Sequence, residues 1–297
     1  MARTAAKAAP WSASPEPARA SSGPLRVLAH EDTAELQRLV ARDPIANIYL
    51  AAHLEQHGTA APVILGTQIL GYDDGGLRAA CWVGANVIPA GVDEATAPAF
   101  GEYLAASGRR HASIYGSAAA VLGIFAEMER RGVPAKEVRA NQPLLAISSE
   151  PLIEPDRRLR PSRMSEFDQI LPAAVAMFEE EVGYSPYSGG EEFYRRRVAS
   201  LIRNGHSLSS LDEYGEVIFK ADLGVLSRQA SQVQGVWLRP EDRGRGLSAG
   251  YMAAVVQLAR KQAPVVSLYV NDYNARARAS YERVGFEQIG SYATVLF

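Results

Sequence analysis

Apolar and polar positions alternate along this chain in two rhythms, and the same order of rhythms occurs twice. A short apolar run, LRVLAH, reads as a strand, and helical spacing follows in EDTAELQRLVARD and again in PIANIYLAAHLEQHG. Strand-like runs come next at APVILGTQIL and LRAACWVG, joined by the turn YDDGG, with ANVIPAG as a further strand. VDEATAPAFGEYLAAS reads as a helix and HASIYG as a strand. SAAAVLGIFAEMERRG is a helix ended by Gly132 and Pro134, before the strand QPLLAIS.

The segment around Glu154, Pro155 and Asp156 reads as a linker, and beyond it the order runs again. RRLRPSR is a short strand, MSEFDQILPAAVAMFEEEVG and GGEEFYRRRVASLIRNG are helices, and SLSSLD, GEVIFKAD and ASQVQGVWL are strands. The helix SAGYMAAVVQLARKQ, the strand VVSLYVN, the helix NARARASYERVG and the strand-like FEQIGSYATVLF complete the pattern. Few letters repeat between the halves. The duplication is read from the order of elements, which predicts two α+β domains of one architecture in tandem, 25–150 and 158–297.

Composition narrows the function classes. With 47% hydrophobic and 22% charged residues over 297 positions, the chain can bury two cores, while residues 1–24, rich in Ala, Ser and Pro, read as a disordered tail. A net charge of −2 offers no basic field for nucleic acid. No run reaches the ~18 to 20 apolar residues of a membrane span, and Lys7, Pro10, Pro15, Glu16 and Pro17 break any secretory h-region, so a cytoplasmic protein is expected. The single cysteine, Cys81, reads as a buried apolar thiol. His53 and His57 stand one helical turn apart, but Leu54 holds the place where a zinc-protease pattern needs Glu, and no metal is expected.

The bend in LRPEDRGRGLSAGYM carries the most chemistry. Arg243, Gly244, Arg245 and Gly246 lead from an apolar strand into a helix, and such a bend brings free N–H groups to an anion. Gly244, Gly246 and Ala249 fit the dinucleotide pattern G-x-G-x-x-A. That pattern also expects an acid about 20 positions on, and KQAPVVSLYV has none. A dinucleotide enzyme stays as the lesser alternative.

The same stretch resembles the phosphate-binding motif of the GNAT superfamily of acyl-CoA-dependent N-acyltransferases, with Arg243 and Gly246 at the matching places and Ser248 standing where the family has Gly or Ala. NARARASYERVGF resembles the family's second signature, matched by Asn274, Ala277, Tyr281, Gly285 and Phe286. Offsets of three and seven put Asn274, Ala277 and Tyr281 on one helix face. The resemblance covers roughly 158–297 and implies two tandem GNAT-like domains, each a mostly antiparallel mixed sheet flanked by helices, the first a degenerate copy without a cofactor motif. It further implies that backbone amides of Arg243, Gly244, Arg245, Gly246, Leu247 and Ser248 hold the pyrophosphate of coenzyme A. The strand Val236, Trp237 and Leu238 would run beside the pantetheine, with Asn274 and Ala277 on the cofactor side. Tyr281 would protonate the departing thiolate.

The base is the weakest part of the match. Many GNAT enzymes carry a Glu early on the strand before the phosphate loop, and here that place falls near Gln232, with Gln234 also polar. An amine of the usual lysine type is only about one part in 2,500 neutral at pH 7, a penalty of about 4.6 kcal/mol, so another group must help. Glu216 and Asp222 on the neighbouring strand, or Glu180 and Glu181 after the first helix of this half, are the candidates. The resemblance thus implies an N-acetyltransferase using acetyl-CoA as donor and a small-molecule or protein amine as acceptor, by direct attack in a ternary complex. A non-catalytic acyl-CoA sensor is the alternative raised by Gln232, and a homodimer is left open.

Overall fold

The computed structural model describes residues 24–297, so the expected disordered tail lies outside them apart from Pro24. The first half holds β1 (Leu25–Val27), α1 (Thr33–Val40), α2 (Ile48–His57), β2 (Gln68–Asp73), β3 (Leu77–Val83), β4 (Asn86–Ala90), α3 (Ala97–Ala106), β5 (Ser113–Ser117), α4 (Ala118–Arg130) and β6 (Glu137–Ile147). The second holds β7 (Arg160–Pro161), α5 (Phe167–Val182), α6 (Glu191–Arg203), β8 (Ser207–Leu211), β9 (Val217–Leu226), β10 (Ala230–Leu238), α7 (Leu247–Ala259), β11 (Val265–Tyr269), α8 (Ala275–Val284) and β12 (Glu287–Leu296). Element order agrees with the hydrophobic pattern throughout.

Three bounds differ, each for a physical reason. Residues 61–67 form a loop instead of opening a strand, and Leu65 there is 95% exposed. RRLRPSR contributes only the two residues of β7. β6 starts at Glu137 and not at Gln142, because the polar stretch EVRAN has a partner: Arg139, Val138 and Glu137 pair with Thr294, Val295 and Leu296.

The twelve strands of the described residues belong to one sheet, in the order β1-β2-β3-β4-β5-β12-β6-β11-β10-β9-β8-β7. The halves exchange strands. β12 inserts between β5 and β6, antiparallel to both, while β6 pairs on its other side with β11. Only β4–β5 and β10–β11 are parallel, so each half carries one parallel junction in an antiparallel sheet.

Side-chain alternation sorts the helices into two layers. On one face Cys81, Val83, Ile114, Ala293 and Val295 pack under α3 and α4, and Phe219, Leu223, Val233, Val266 and Leu268 pack under α7 and α8. α7 is buried on nearly all sides, from Ala249 to Ala259, which its almost uninterrupted apolar sequence allows. On the other face α1 and α2 cover Trp82, Ile88 and Ala90, and α5 and α6 pack with Val217 and Trp237. Burial pushes the Cys81 thiol up, in keeping with an inert core residue. Among the described residues no helix is long and apolar enough to cross a membrane, and no group of three or more His, Cys, Asp or Glu side chains is set to hold a metal ion.

Candidate functional site

The site begins where two parallel strands part. β10 and β11 pair only from Ala230–Gln232 to Val265–Ser267, and β10 then runs on to Leu238 with register shifts that mark a bulge between Gln234 and Trp237. A bulge bends and twists its strand, here opening a gap in the sheet. Gly235 sits in the bulge at φ 60°, where a Cβ would stand 3.0 Å from Asp222 Oδ2 and 3.1 Å from Met177 Cε. Lys220 Nζ donates to Asp222 Oδ2 at 2.7 Å and to Gly235 O at 3.2 Å, tying the bulge to β9. Burying such a pair costs desolvation, so its value here is the fixed shape of the gap.

Beyond β10 a short turn, Pro240–Asp242, leads to Arg243, whose N–H returns to Pro240 O. Gly244 and Gly246 follow at φ 78° and 77°, a backbone that side chains rarely adopt, and Gly246 caps α7 without a side-chain hydrogen bond. Among the described residues none accepts from the N–H groups of Gly244, Arg245 or Gly246. They form a free cluster of donors at the positive end of a helix dipole. The frame around them is rigid: buried Asp242 accepts from Arg239 Nε at 2.7 Å and Arg245 Nη1 at 2.6 Å, and Arg239 also reaches Asp212 at 2.7 Å. Arg243 donates to Leu238 O at 2.9 Å and to both carboxylate oxygens of Glu180 at 3.0 and 2.8 Å, and Glu180 accepts from Trp237 Nε1 at 3.2 Å as well. Val236, Leu238 and Leu247 pack on the α7 core, and Ser248 Oγ accepts from Ser280 Oγ at 3.1 Å, joining α7 to α8.

α8 carries Tyr281 in the core beneath α7 and α8. Asn274 acts as the N-cap of α8, its Oδ1 accepting from Ala277 N–H at 3.2 Å, so its visible role is to start the helix; Ala277 packs against the core. Tyr281 is buried edge-to-face with Phe286, ring centroids 5.9 Å apart. Burial, with Glu181 adding to it, pushes its phenol well above the usual tyrosine value. Glu181, in the last turn of α5, is exposed. Desolvation raises its pKa, against the opposing charges of Arg139 and Lys220. Tyr281 and Glu181 come from opposite layers, on α8 and α5.

Glu216 is not part of this group. It lies in the turn between β8 and β9, exposed, with its N–H on Asp212 Oδ1 and its carbonyl accepting from Asp212 N–H. Asp222, level with the gap, is six residues further along β9, roughly 20 Å away at strand spacing. Two contributors were not singled out in the sequence. Arg139, from β6 of the first half, donates to Glu181 O at 2.8 Å, and Tyr269 at the end of β11 is pushed up to about 12 by burial and by Glu181. The pairing of Lys220 with Asp222 had a readable signal: Lys220 is the one cation inside the apolar run GEVIFKAD.

The first half has no equivalent opening. β4 and β5 also part after Asn86–Val87, but a Cβ on Gly116 would stand 3.4 Å from the Pro89 ring, so the strands stay in contact. At the start of α3, Thr96 N–H goes to Asp93 Oδ1 at 2.9 Å and Ala97 N–H to Asp93 O at 2.9 Å, which consumes the donors that remain free in the second half. A crevice of about 300 Å³ at the seam, lined by Val40, Leu54, Glu55 and Arg228 among others, lies at the other end of β10 from the Arg243–Gly246 bend.

Comparison with known proteins places this geometry. The family model described as FR47-like protein matches residues 219–295, and one described as a domain of unknown function, DUF4081, matches residues 67–170. This is a tandem GNAT fold. A GCN5-related N-acetyltransferase from Sphaerobacter thermophilus superposes with a TM-score of 0.59 at 16% identity, over 92% of this chain and 95% of that one. A GNAT-family acetyltransferase from Colwellia psychrerythraea gives 0.53 at 12% identity, over 92% and 99%. A tandem GNAT protein from the clavulanic acid biosynthesis pathway gives 0.53 at 13% identity, over 91% and 98%. A search of curated proteins found no match. At 16% identity or less, these likenesses show the fold.

Proposed function

We propose that the chain is an acyl-CoA-dependent N-acyltransferase that moves an acyl group, acetyl first among them, onto a primary amine. The observation that carries this reading is the free N–H cluster of Gly244, Arg245 and Gly246 before α7, which follows the strand β10 where it parts from β11. The residues fit a coenzyme A diphosphate: its charge suits the unpaired donors and helix dipole, and the apolar flank of Val236, Leu238 and Leu247 suits the arm that follows. The thioester supplies an electrophilic carbonyl and a sulfur leaving group.

The chain's own groups would do the rest. The amine nitrogen attacks the carbonyl carbon, the carbon–sulfur bond breaks, and Tyr281, kept protonated at neutral pH by burial, gives its proton to the sulfur. Glu181 takes the proton the amine loses, and desolvation makes it a stronger base than an ordinary carboxylate. Orientation of the two reactants is the larger contribution, about 7 to 11 kcal/mol against the 10² to 10⁴-fold of proton transfer. The mechanism therefore tolerates Gln232 at the place where the resemblance to GNAT enzymes expects a Glu.

The test is release of free thiol from acetyl-CoA across a panel of amines, with coenzyme A binding followed in parallel by thermal shift. Turnover supports the enzyme; stabilisation by coenzyme A with no turnover on any amine makes the chain a sensor. Stabilisation by NAD(P) and not by coenzyme A would restore the dinucleotide reading. Location in the cytoplasm remains part of the same proposal.

A further inference from the structure

Two successive residues at the end of α5 are held by strands on opposite sides of β11. Glu180 accepts from Trp237 Nε1 on β10 at 3.2 Å and from Arg243 Nη2 at 3.0 and 2.8 Å. The carbonyl of Glu181 accepts from Arg139 Nη2 on β6 at 2.8 Å. In the sheet, β11 lies between β10 and β6. It stops at Tyr269, opposite Leu144, while β10 runs on to Leu238 and β6 extends past that level to Glu137. Beyond Tyr269 no strand among the described residues separates β10 from β6, and the end of α5 bridges them there.

The hold from the first half is a built one. Glu137 accepts from Arg139 Nε at 2.7 Å and from Nη2 at 3.2 Å, and only 9% of the Arg139 side chain is exposed. A guanidinium at the last turn of a helix takes a carbonyl that the helix leaves unmet and suits the negative end of its dipole. Just past Gly183, which ends α5, Lys136 Nζ stands 4.7 Å from the centroid of the Tyr184 ring, and Phe178 packs edge-on to that ring at 5.7 Å. Lys136 and Arg139 thus grip α5 at two points from the first half. On the β10 side the grip is one carboxylate, Glu180, whose side chain is 47% exposed. Contacts of exposed charges are individually weak, so this side can let go while the helix stays folded.

We propose that the end of α5 is a clasp across the opened sheet, set by Arg139 of the first half as a positioning residue and released when a bound diphosphate takes Arg243 from Glu180. The diphosphate belongs to the coenzyme A reading given above; the clasp itself does not depend on it. The first half, which has no equivalent opening of its own, thereby couples filling of the Arg243–Gly246 bend to the freedom of the helix end beside it.

Hydrogen–deuterium exchange on the full chain tests this, read on peptides covering 179–185 and set beside calorimetric titration with coenzyme A. In the free protein, Arg139→Gln should speed exchange there by about threefold or more, since the helix end loses its anchor; unchanged exchange overturns the clasp. Saturating coenzyme A should also speed exchange of these residues in the unaltered chain, the reverse of the usual protection by a ligand, and slower or unchanged exchange overturns the release. Coenzyme A affinity gives the second readout. Glu180→Gln and Arg139→Gln should each tighten binding by up to about fivefold, and the double variant by no more than the larger single effect, because both undo the same contact. Additive effects would leave Arg139 a merely structural residue and overturn its positioning role. Glu180 is exposed, so its variant and the exchange of the unaltered chain decide the matter even where Arg139→Gln does not fold. Faster exchange in Arg139→Gln with no binding of coenzyme A would keep the clasp and remove the donor reading; binding with exchange unchanged would do the converse.

Discussion

Arg243 holds both carboxylate oxygens of Glu180, at 3.0 and 2.8 Å, and so ties the loop before α7 to the helix that carries Glu181. Both side chains are more than a third exposed, so the pair contributes about 1 kcal/mol at most. A bound diphosphate would compete with Glu180 for the guanidinium. Glu180→Gln should therefore tighten coenzyme A binding by up to about fivefold, most clearly at low salt. Calorimetry at two ionic strengths checks it, and weaker binding would contradict the competition.

Tyr281→Phe should slow turnover by about 10² to 10⁴-fold while leaving coenzyme A affinity nearly unchanged, since the ring still packs on Phe286. Unchanged turnover would remove Tyr281 as the acid.

Glu181 acts as base only when ionised, and desolvation holds its pKa above the usual carboxylate range. Turnover should accordingly rise with pH through that raised value. Glu181→Gln should lower turnover and erase this limb of the profile, and a limb that survives in the variant would belong to another group.

Lys220 and Asp222 are a buried pair whose halves cannot be removed singly without cost. Lys220→Met leaves Asp222 without its cation and should destabilise the fold by about 3 to 5 kcal/mol, whereas Lys220→Met with Asp222→Leu should recover most of it. Urea unfolding measures both. Recovery of stability without recovery of turnover would separate the pair's shaping of the Gly235 bulge from its contribution to folding.

His53 packs against Trp82 and His57, each with ring centroids 4.7 Å away, and burial lowers its pKa from 6.5 to about 4. As pH falls below about 6.5 the unfolded chain takes up this proton first. Stability should then decline down to about pH 4, by at most about 3 kcal/mol from this residue. His53→Gln should flatten that part of the curve in thermal melts; an unchanged slope would assign the decline to other groups.

Local rules made much of the molecule readable. The strand ASQVQGVWL occupies its expected residues, and the Arg-Gly bend lies where a strand hands over to a helix. Asn274, Ala277 and Tyr281 share one helix, although Asn274 shows only its capping role. What escaped was non-local. No pattern within 287–296 shows that this strand pairs with 113–117 and 137–147, because pairing partners are chosen by the whole sheet. Glu181 and Glu216 look alike as acids near strands, and only the tertiary fold sets one against Arg139 of the first half and the other in the turn held by Asp212.

The exchange of β6 and β12 has a consequence for how the protein is made. While the ribosome is still translating the second half, β5 and β6 have emerged with an empty lane between them, which only residues 287–296 fill. Neither half can seal its sheet alone, and the nascent chain must shelter two raw strand borders until synthesis reaches β12.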